Sequence, residues 1–312
     1  MVIIISIIVL IICITLIVAY WLIGNYFYNI SLNPKTDKEF AVGELTKTDE
    51  QIKTQEEEEK WLTENSKEAY IVSTNNGKLK LHAYELKSNV DSNVWVIVIH
   101  GYMGCGSVMA TFAHEFYKKG YNVLVPDLRG HGKSEGNYVG MGWHDRLDII
   151  NWIDYIIEKN PESKIIIFGI SMGAATTMMT TGEELPSNVK LAIADCGYTS
   201  AWDEFSYQLK RKFKLPAFPI LYAANSSCKR LAKYSFKEAS SVEQVKKSNT
   251  PILFIHGDVD DFVPFSMLDT IYNSASCKKE KLVIENSGHG IAATVNPELY
   301  WSTIDKVINK YL

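Results

Sequence analysis

The residues with the most chemistry to offer sit in Gly169-Ile170-Ser171-Met172-Gly173. The β-branched and aromatic run Ile165-Ile166-Ile167-Phe168 leads in, and the helix-forming run Ala174 to Met179 leads out. Strand, tight turn and helix with a serine at the turn would hold that hydroxyl in a strained corner above a sheet edge. Glycines two residues to either side suit a corner where any Cβ would collide with the neighbouring strand and helix. A serine hydroxyl becomes a useful nucleophile once a base takes its proton and an acid orients that base. Where a serine stands on such a turn, its partners follow in the order serine, acid, histidine.

Of the seven histidines, only His256 and His289 follow Ser171. His256 closes an apolar strand before Gly257, which suits a strand-end residue. His289 lies in Ser287-Gly288-His289-Gly290, a loop after the last strand that can reach the serine, and is the expected base. Two backbone N–H groups should hold a tetrahedral oxyanion. Met172, the residue after the serine, supplies one. Tyr102, in His100-Gly101-Tyr102-Met103-Gly104 after a buried strand, supplies the other. The acid stays open among Asp195, Asp258, Asp260 and Asp261. Asp195 ends the strand after the serine's own, and Asp258 follows His256-Gly257 where a side chain would cap the turn.

These residues need a scaffold, and hydropathy patterning describes one. Tyr70 to Thr74, Asn75-Asn76-Gly77 and Lys78 to Leu86 read as a β-hairpin. Val94 to Ile99 is fully apolar, as a strand buried on both faces of a parallel sheet should be. Further strands are expected at Tyr121 to Val125, before Ser171, at Leu191 to Ala194, Ile252 to Ile255 and Leu282 to Ile284. Helices are expected near Val108 to Lys119, Trp143 to Glu158 and Pro297 to Tyr311. Alternation of this kind predicts an α/β fold: a mostly parallel, doubly wound sheet after an antiparallel N-terminal hairpin. Chemistry in such sheets gathers at the carboxyl ends of the strands, where every residue named above falls. Residues 198–250 are too long for a plain crossover and rich in aromatic and basic residues. They predict a helical cap over that edge.

Val2 to Ile23 carries no charge and, as a helix, would be about 33 Å long, enough to cross a bilayer. A cleaved signal would show a basic start and a small-x-small site, and neither is present. Tyr20, Trp21, Tyr26, Phe27 and Tyr28 suit an interfacial belt. Residues 1–24 are therefore expected to be a transmembrane anchor of a single-pass membrane protein. Residues 25–66 follow as a linker and an amphipathic helix, with Leu45, Ile52, Trp61 and Leu62 as its thin apolar stripe. The acidic run Glu56 to Glu59 reads as a solvated face. Residues 67–312 should form a complete domain, whose activity would survive deletion of residues 1–30. The formal net charge of −4 gives no footprint for nucleic acid. Five cysteines form no C-x-x-C pair, so buried free thiols are expected, with no metal or cofactor site.

From residue 69 on, the chain resembles an α/β-hydrolase-fold serine hydrolase, similar to the monoacylglycerol-lipase-like, cephalosporin-deacetylase-like and acylaminoacyl-peptidase-like group. The residues carrying this are His100 to Gly104, Asp127-Leu128-Arg129-Gly130-His131-Gly132-Lys133-Ser134, Gly169 to Gly173, His256 to Pro264 and Ser287 to His289. The resemblance implies a triad of Ser171, Asp260 and His289, because Asp260-Asp261-Phe262-Val263-Pro264 matches the family's D-x-x-V-P. It implies that the stretch around Gly130-His131-Gly132 is structural, so His131 has no catalytic role. The implied activity is hydrolysis of a carboxylic ester or thioester of a small or lipid-like acyl group, without a cofactor. A peptidase or amidase is the alternative, and a non-catalytic binding protein a more distant one.

Overall fold

The computed structural model describes residues 2–36, 49–75 and 77–312. Residues 37–48 and Asn76 lie outside them, and with them Asp37, Lys38, Glu39 and Leu45 of the linker and the centre of the expected hairpin turn. Eight strands pair into one sheet: β1 (Lys67–Val72), β2 (Lys80–Leu86), β3 (Val94–Ile99), β4 (Asn122–Pro126), β5 (Lys164–Ile170), β6 (Val189–Asp195), β7 (Ile252–Gly257) and β8 (Lys279–Ile284). Their spatial order is β1-β2-β4-β3-β5-β6-β7-β8. β1 and β2 pair antiparallel, as does β2 with β4, and every later pairing is parallel.

Short apolar runs become strands here because both faces are covered. Along β3, Trp95, Ile97 and Ile99 enter one core with Trp152, Ile153 and Ile156. Val96 and Val98 point the other way, to Phe116, Phe168, Tyr300 and Ile304. This is the two-residue period of a strand with helices on either side. The covering helices are α3 (Ala110–Lys118), α4 (Asp145–Lys159), α5 (Met172–Thr181), α9 (Ser266–Ser274) and α11 (Pro297–Tyr311). The side chain of Asn296 caps α11 by accepting from the Leu299 amide. The insertion after β6 forms α6 (Ala201–Phe213), α7 (Ile220–Leu231) and α8 (Ser241–Val245). α6 lies over the edge, beside Ser171, and α7 packs on the N-terminal helix. Val245 of α8 returns to the core beside Ala174 and Met178 of α5. A short helix, α10 (Ala292–Val295), precedes α11.

The N-terminal helices depart from the expectation. α1 (Val2–Leu32) does not stop near residue 24. Its residues 2–18 are exposed, whereas Gly24, Tyr28 and Leu32 are buried in the domain. Pro34 and Asn33 end it, since proline disfavours helix at the residue before it. Gly24 lets α1 cross α7 closely: a Cβ there would stand 2.5 Å from the Ala223 carbonyl oxygen. The Leu32 carbonyl accepts the Val139 amide at 2.8 Å, and the Ser31 carbonyl accepts the Tyr102 hydroxyl. The domain therefore begins inside α1, and deletion through residue 30 would remove part of its core. α2 (Asp49–Asn65) packs on α3 by Leu62, fully buried, and by Trp61, stacked 3.9 Å from His114. Its acidic run is only partly solvated: Glu58 holds His114 at 2.8 Å and Glu59 accepts the Ser107 hydroxyl at 2.8 Å. Of the cysteines, Cys196 and Cys228 are buried free thiols, while Cys13 is exposed on α1.

Candidate active site

Ser171 stands between β5 and α5 with φ 57° and ψ −117°, a backbone conformation that strains any residue with a side chain. Close packing enforces it. A Cβ on Gly169 would lie 2.2 Å from the Gly173 carbonyl oxygen, and one on Gly173 would lie 2.2 Å from that of Ile99. The His289 Nε2 is 2.8 Å from Ser171 Oγ, and His289 Nδ1 is 2.7 Å from Asp260 Oδ2. A carboxylate at Nδ1 keeps a proton on that nitrogen and leaves Nε2 to accept from the serine hydroxyl. Asp260 Oδ1 accepts the amides of Phe262 and Val263 at 3.0 and 2.9 Å. A second histidine, His256, reaches Asp260 Oδ2 at 3.2 Å while its Nε2–H also faces the Val263 carbonyl at 3.0 Å. Burial by itself would raise the Asp260 pKa, but the hydrogen bonds to His256 and His289 outweigh it and bring it down to about 2.

The other aspartates are directed elsewhere. Asp195 accepts the Tyr300 hydroxyl at 2.9 Å, and burial pushes its pKa up to about 6. Asp258 caps the turn by accepting the Asn286 amide at 2.6 Å. Asp261 pairs with Arg211 at the surface. Met172 is the first residue of α5, where helix amides point away from intrahelical partners. Tyr102 follows Gly101, whose Cβ would touch the Ser171 side chain at 3.4 Å. His100 supports this turn. Its Nε2 accepts the Leu128 amide at 3.0 Å and its Nδ1–H faces the Gly101 carbonyl at 2.8 Å, while burial lowers its pKa and keeps it neutral.

Around His131 the chain is braced by Asp127, which accepts the Gly106 amide at 2.6 Å and the Lys133 amide at 2.8 Å and meets His82 at 2.7 Å. A Cβ on Gly132 would come within 2.3 Å of that carboxylate. His131 stacks edge-on to His100 at 5.0 Å, and its Nδ1 lies 3.0 Å from the Arg129 carbonyl. Among the described residues one grouping has metal-type donors, Cys196 with Asp260 and His289 within 4.8 Å. Burial pushes the Cys196 thiol well up, which keeps it protonated, and both partners are already bonded to each other. This is a poor donor set.

Over Ser171 opens a chamber walled by Tyr102, Met141, Tyr198, Phe205 and Phe262. It also holds two groups that sequence reasoning missed, Glu204 and Gln208 of α6. Gln208 donates to Glu204 Oε1 at 2.9 Å, while Glu204 Oε2 and Gln208 Oε1 are buried without a partner. Burial pushes the Glu204 pKa up to about 8, so the carboxyl is neutral near pH 7. The sequence signal was an i,i+4 polar pair beside Phe205 and Leu209 on one face of a cap helix.

The family described as serine aminopeptidase, S33, matches residues 91–235. The esterase Pf2001 of Pyrococcus furiosus is 25% identical in sequence, with a TM-score of 0.65 over 81% of this chain and 95% of that one. The chain has the α/β-hydrolase fold. Its sheet order and the place of Ser171 after the fifth strand fit that architecture. Among curated relatives, the chain is 29% identical to the uncharacterized protein YqkD of Bacillus subtilis, over 69% of its own length and 70% of the relative's. It is 24% identical to the thermostable monoacylglycerol lipase of Bacillus sp. H-257, over 63% of its own length and 82% of the relative's. The Pyrococcus horikoshii acylaminoacyl peptidase shares the fold at 16% identity and a TM-score of 0.56, covering 78% of this chain and 40% of that one.

Proposed function

We propose that this α/β hydrolase is a membrane-anchored serine hydrolase that cleaves carboxylic esters or thioesters of apolar acyl groups through an acyl-enzyme. The single observation carrying this reading is the unbroken line from Ser171 Oγ through His289 to Asp260. Ser171 attacks the acyl carbon as His289 Nε2 takes its proton. The amides of Tyr102 and Met172 hold the oxyanion. The intermediate collapses when His289 returns the proton to the leaving alcohol or thiol. Water then attacks the acyl-serine by the same route, with His289 again as base, and releases the carboxylic acid. Asp260 keeps the imidazole in the right tautomer and stabilises the imidazolium. The aromatic walls of the chamber favour an apolar acyl group. α1 is long and apolar enough to cross a membrane, and its residues 2–18 are exposed, which supports the anchor.

Ester chemistry gains support from the esterase and the monoacylglycerol lipase among the similar proteins. Peptidase action is the second reading, favoured by the family's description as a serine aminopeptidase. The test is labelling of the detergent-solubilised protein with a fluorophosphonate probe, competed by esters, thioesters and peptides. Ser171→Ala should abolish both labelling and p-nitrophenyl butyrate turnover, because losing such a nucleophile costs several orders of magnitude in kcat. A folded Ser171→Ala protein that keeps the wild-type rate would remove the serine from the mechanism. Recovery of intact protein in the soluble fraction without detergent would remove the anchor.

A further inference from the structure

Beside the chamber over Ser171 lies a second one. One wall is the end of α1, through Phe27, Ile30 and Ser31. The opposite wall comes from α6 and α7, through Phe213, Ile220 and Ala224. Phe205 and Gln208 line both chambers and so stand between them. The helix that could cross the membrane is thus also part of a cavity adjoining the candidate nucleophile. A hydrogen bond reinforces the connection: Tyr102, which lines the first chamber, donates its hydroxyl to the Ser31 carbonyl of α1.

The height of this second chamber follows from helix geometry. The uncharged run ends at Ile23, and α1 continues without a break. At about 1.5 Å per residue, Phe27 and Ile30 lie about 6 and about 10 Å beyond that end. The headgroup layer of one leaflet is about 5–7 Å thick. The chamber therefore stands at the outer edge of the headgroups, and α1 is the path between it and the hydrocarbon. The cap has the charge for that location. Residues 198–250 contain ten Lys and Arg against four Asp and Glu, in a chain of formal net charge −4. Arg230 lies 5.4 Å from the Trp21 ring centre and donates to Asn25 of α1 at 2.8 Å. Basic residues beside an anchor suit the phosphates of an anionic leaflet.

The structure assigns the second chamber to the hydrocarbon tail of a membrane-resident, single-chain lipid ester, drawn up along α1 so that its carbonyl meets Ser171. This deepens the hydrolase reading above and rests on it for the chemistry, though not for the binding. The anchor then does more than tether: it holds the acyl site at a fixed height over the source of its substrate and forms one side of it. Phe205 and Gln208 are the residues the tail must pass between the two chambers.

The binding test uses full-length Ser171→Ala protein in phosphatidylcholine–phosphatidylglycerol vesicles. A monoacylglycerol with a diazirine near the end of its palmitoyl chain is the probe, and adducts are mapped by mass spectrometry after illumination. Adducts on Phe27, Ile30, Phe213 or Ile220 are expected. Adducts confined to residues 2–18, which face the bilayer, would overturn the assignment. The kinetic test narrows the chamber from opposite walls with Ile30→Trp and, separately, Ala224→Leu. In each, the ratio of kcat/KM for p-nitrophenyl dodecanoate to that for the butyrate should fall at least about tenfold, the loss of contact with about two methylene groups. An unchanged ratio in both would overturn it. If the wild-type protein turns over neither ester, the hydrolase reading fails, and the adduct map still decides the chamber.

Discussion

Glu204→Gln should make the protein progressively more stable than wild type as pH rises. Burial raises the folded-state pKa of Glu204 from 4.5 to about 8; the Gln208 hydrogen bond opposes the rise, Asp260 adds to it, Arg211 opposes it and Asp203 adds to it. Between those two values the folded chain keeps a proton that the unfolded chain has released, so stability falls with rising pH. The slope is about 1.36 kcal/mol per pH unit, or about 3 kcal/mol between about pH 5 and about pH 7.5. Glutamine does not titrate, so the difference between variant and wild type isolates this one group. That matters because burial also raises Asp145 and Asp195 to about 6, in the same direction, and lowers His144 to about 4, in the opposite one. With about 2–4 °C of Tm per kcal/mol in a domain of this size, the Tm offset should grow by about 6–12 °C over that interval. Thermal unfolding of the detergent-solubilised chain, followed by tryptophan fluorescence at a series of pH values, measures it. An offset that stays constant across the interval would refute the buried neutral carboxyl and the pKa argument with it.

Asp260→Asn should lower kcat by about 10⁴-fold through the wrong His289 tautomer, while Asp195→Asn, whose partner is Tyr300, should cost far less. The reverse ranking in p-nitrophenyl butyrate assays would move the acid one strand back. Deleting residues 1–18 should leave Tm near wild type, because that segment is exposed. Deleting 1–30 also removes buried Tyr28 and should cost about 1.5–3 kcal/mol or more for that side chain alone, read as a drop in Tm. Equal Tm values for the two truncations would contradict the packing of α1 on the domain. Gly24→Ala puts a methyl group 2.5 Å from the Ala223 carbonyl and should cost about 1–3 kcal/mol by forcing α1 and α7 apart. An unchanged Tm would show that the crossing yields without strain.

Much of the scaffold was legible because its causes are local. The strand, turn and helix around Ser171 occupy consecutive residues, and the glycines that permit the turn lie two positions away. Buried parallel strands announce themselves as apolar runs, since both of their faces must be covered. Pro297 marks the start of the last helix, where a missing amide hydrogen costs nothing. The far end of α1 was less legible: its apolar composition is visible in the sequence, but its continuation past Gly24 to Leu32 goes with its packing on α7.

What required the folded chain are the relations between residues far apart in sequence. Asp258, Asp260 and Asp261 have the same chemistry within four positions, and only the path of the loop after β7 aims Asp260 at His289, 29 residues on. The same loop brings His256 onto that carboxylate, although by sequence it was merely the end of a strand. Glu204 looks like any helix-surface glutamate, and its neutrality near pH 7 comes from walls that three other segments supply. Composition and periodicity specify what each segment can become, because propensity and solvent preference act within a few residues. Hydrogen-bond partners and desolvation are set by whichever segments arrive from elsewhere, so the chamber, its buried acid and the place of α1 in the neighbouring cavity belong to the tertiary structure alone.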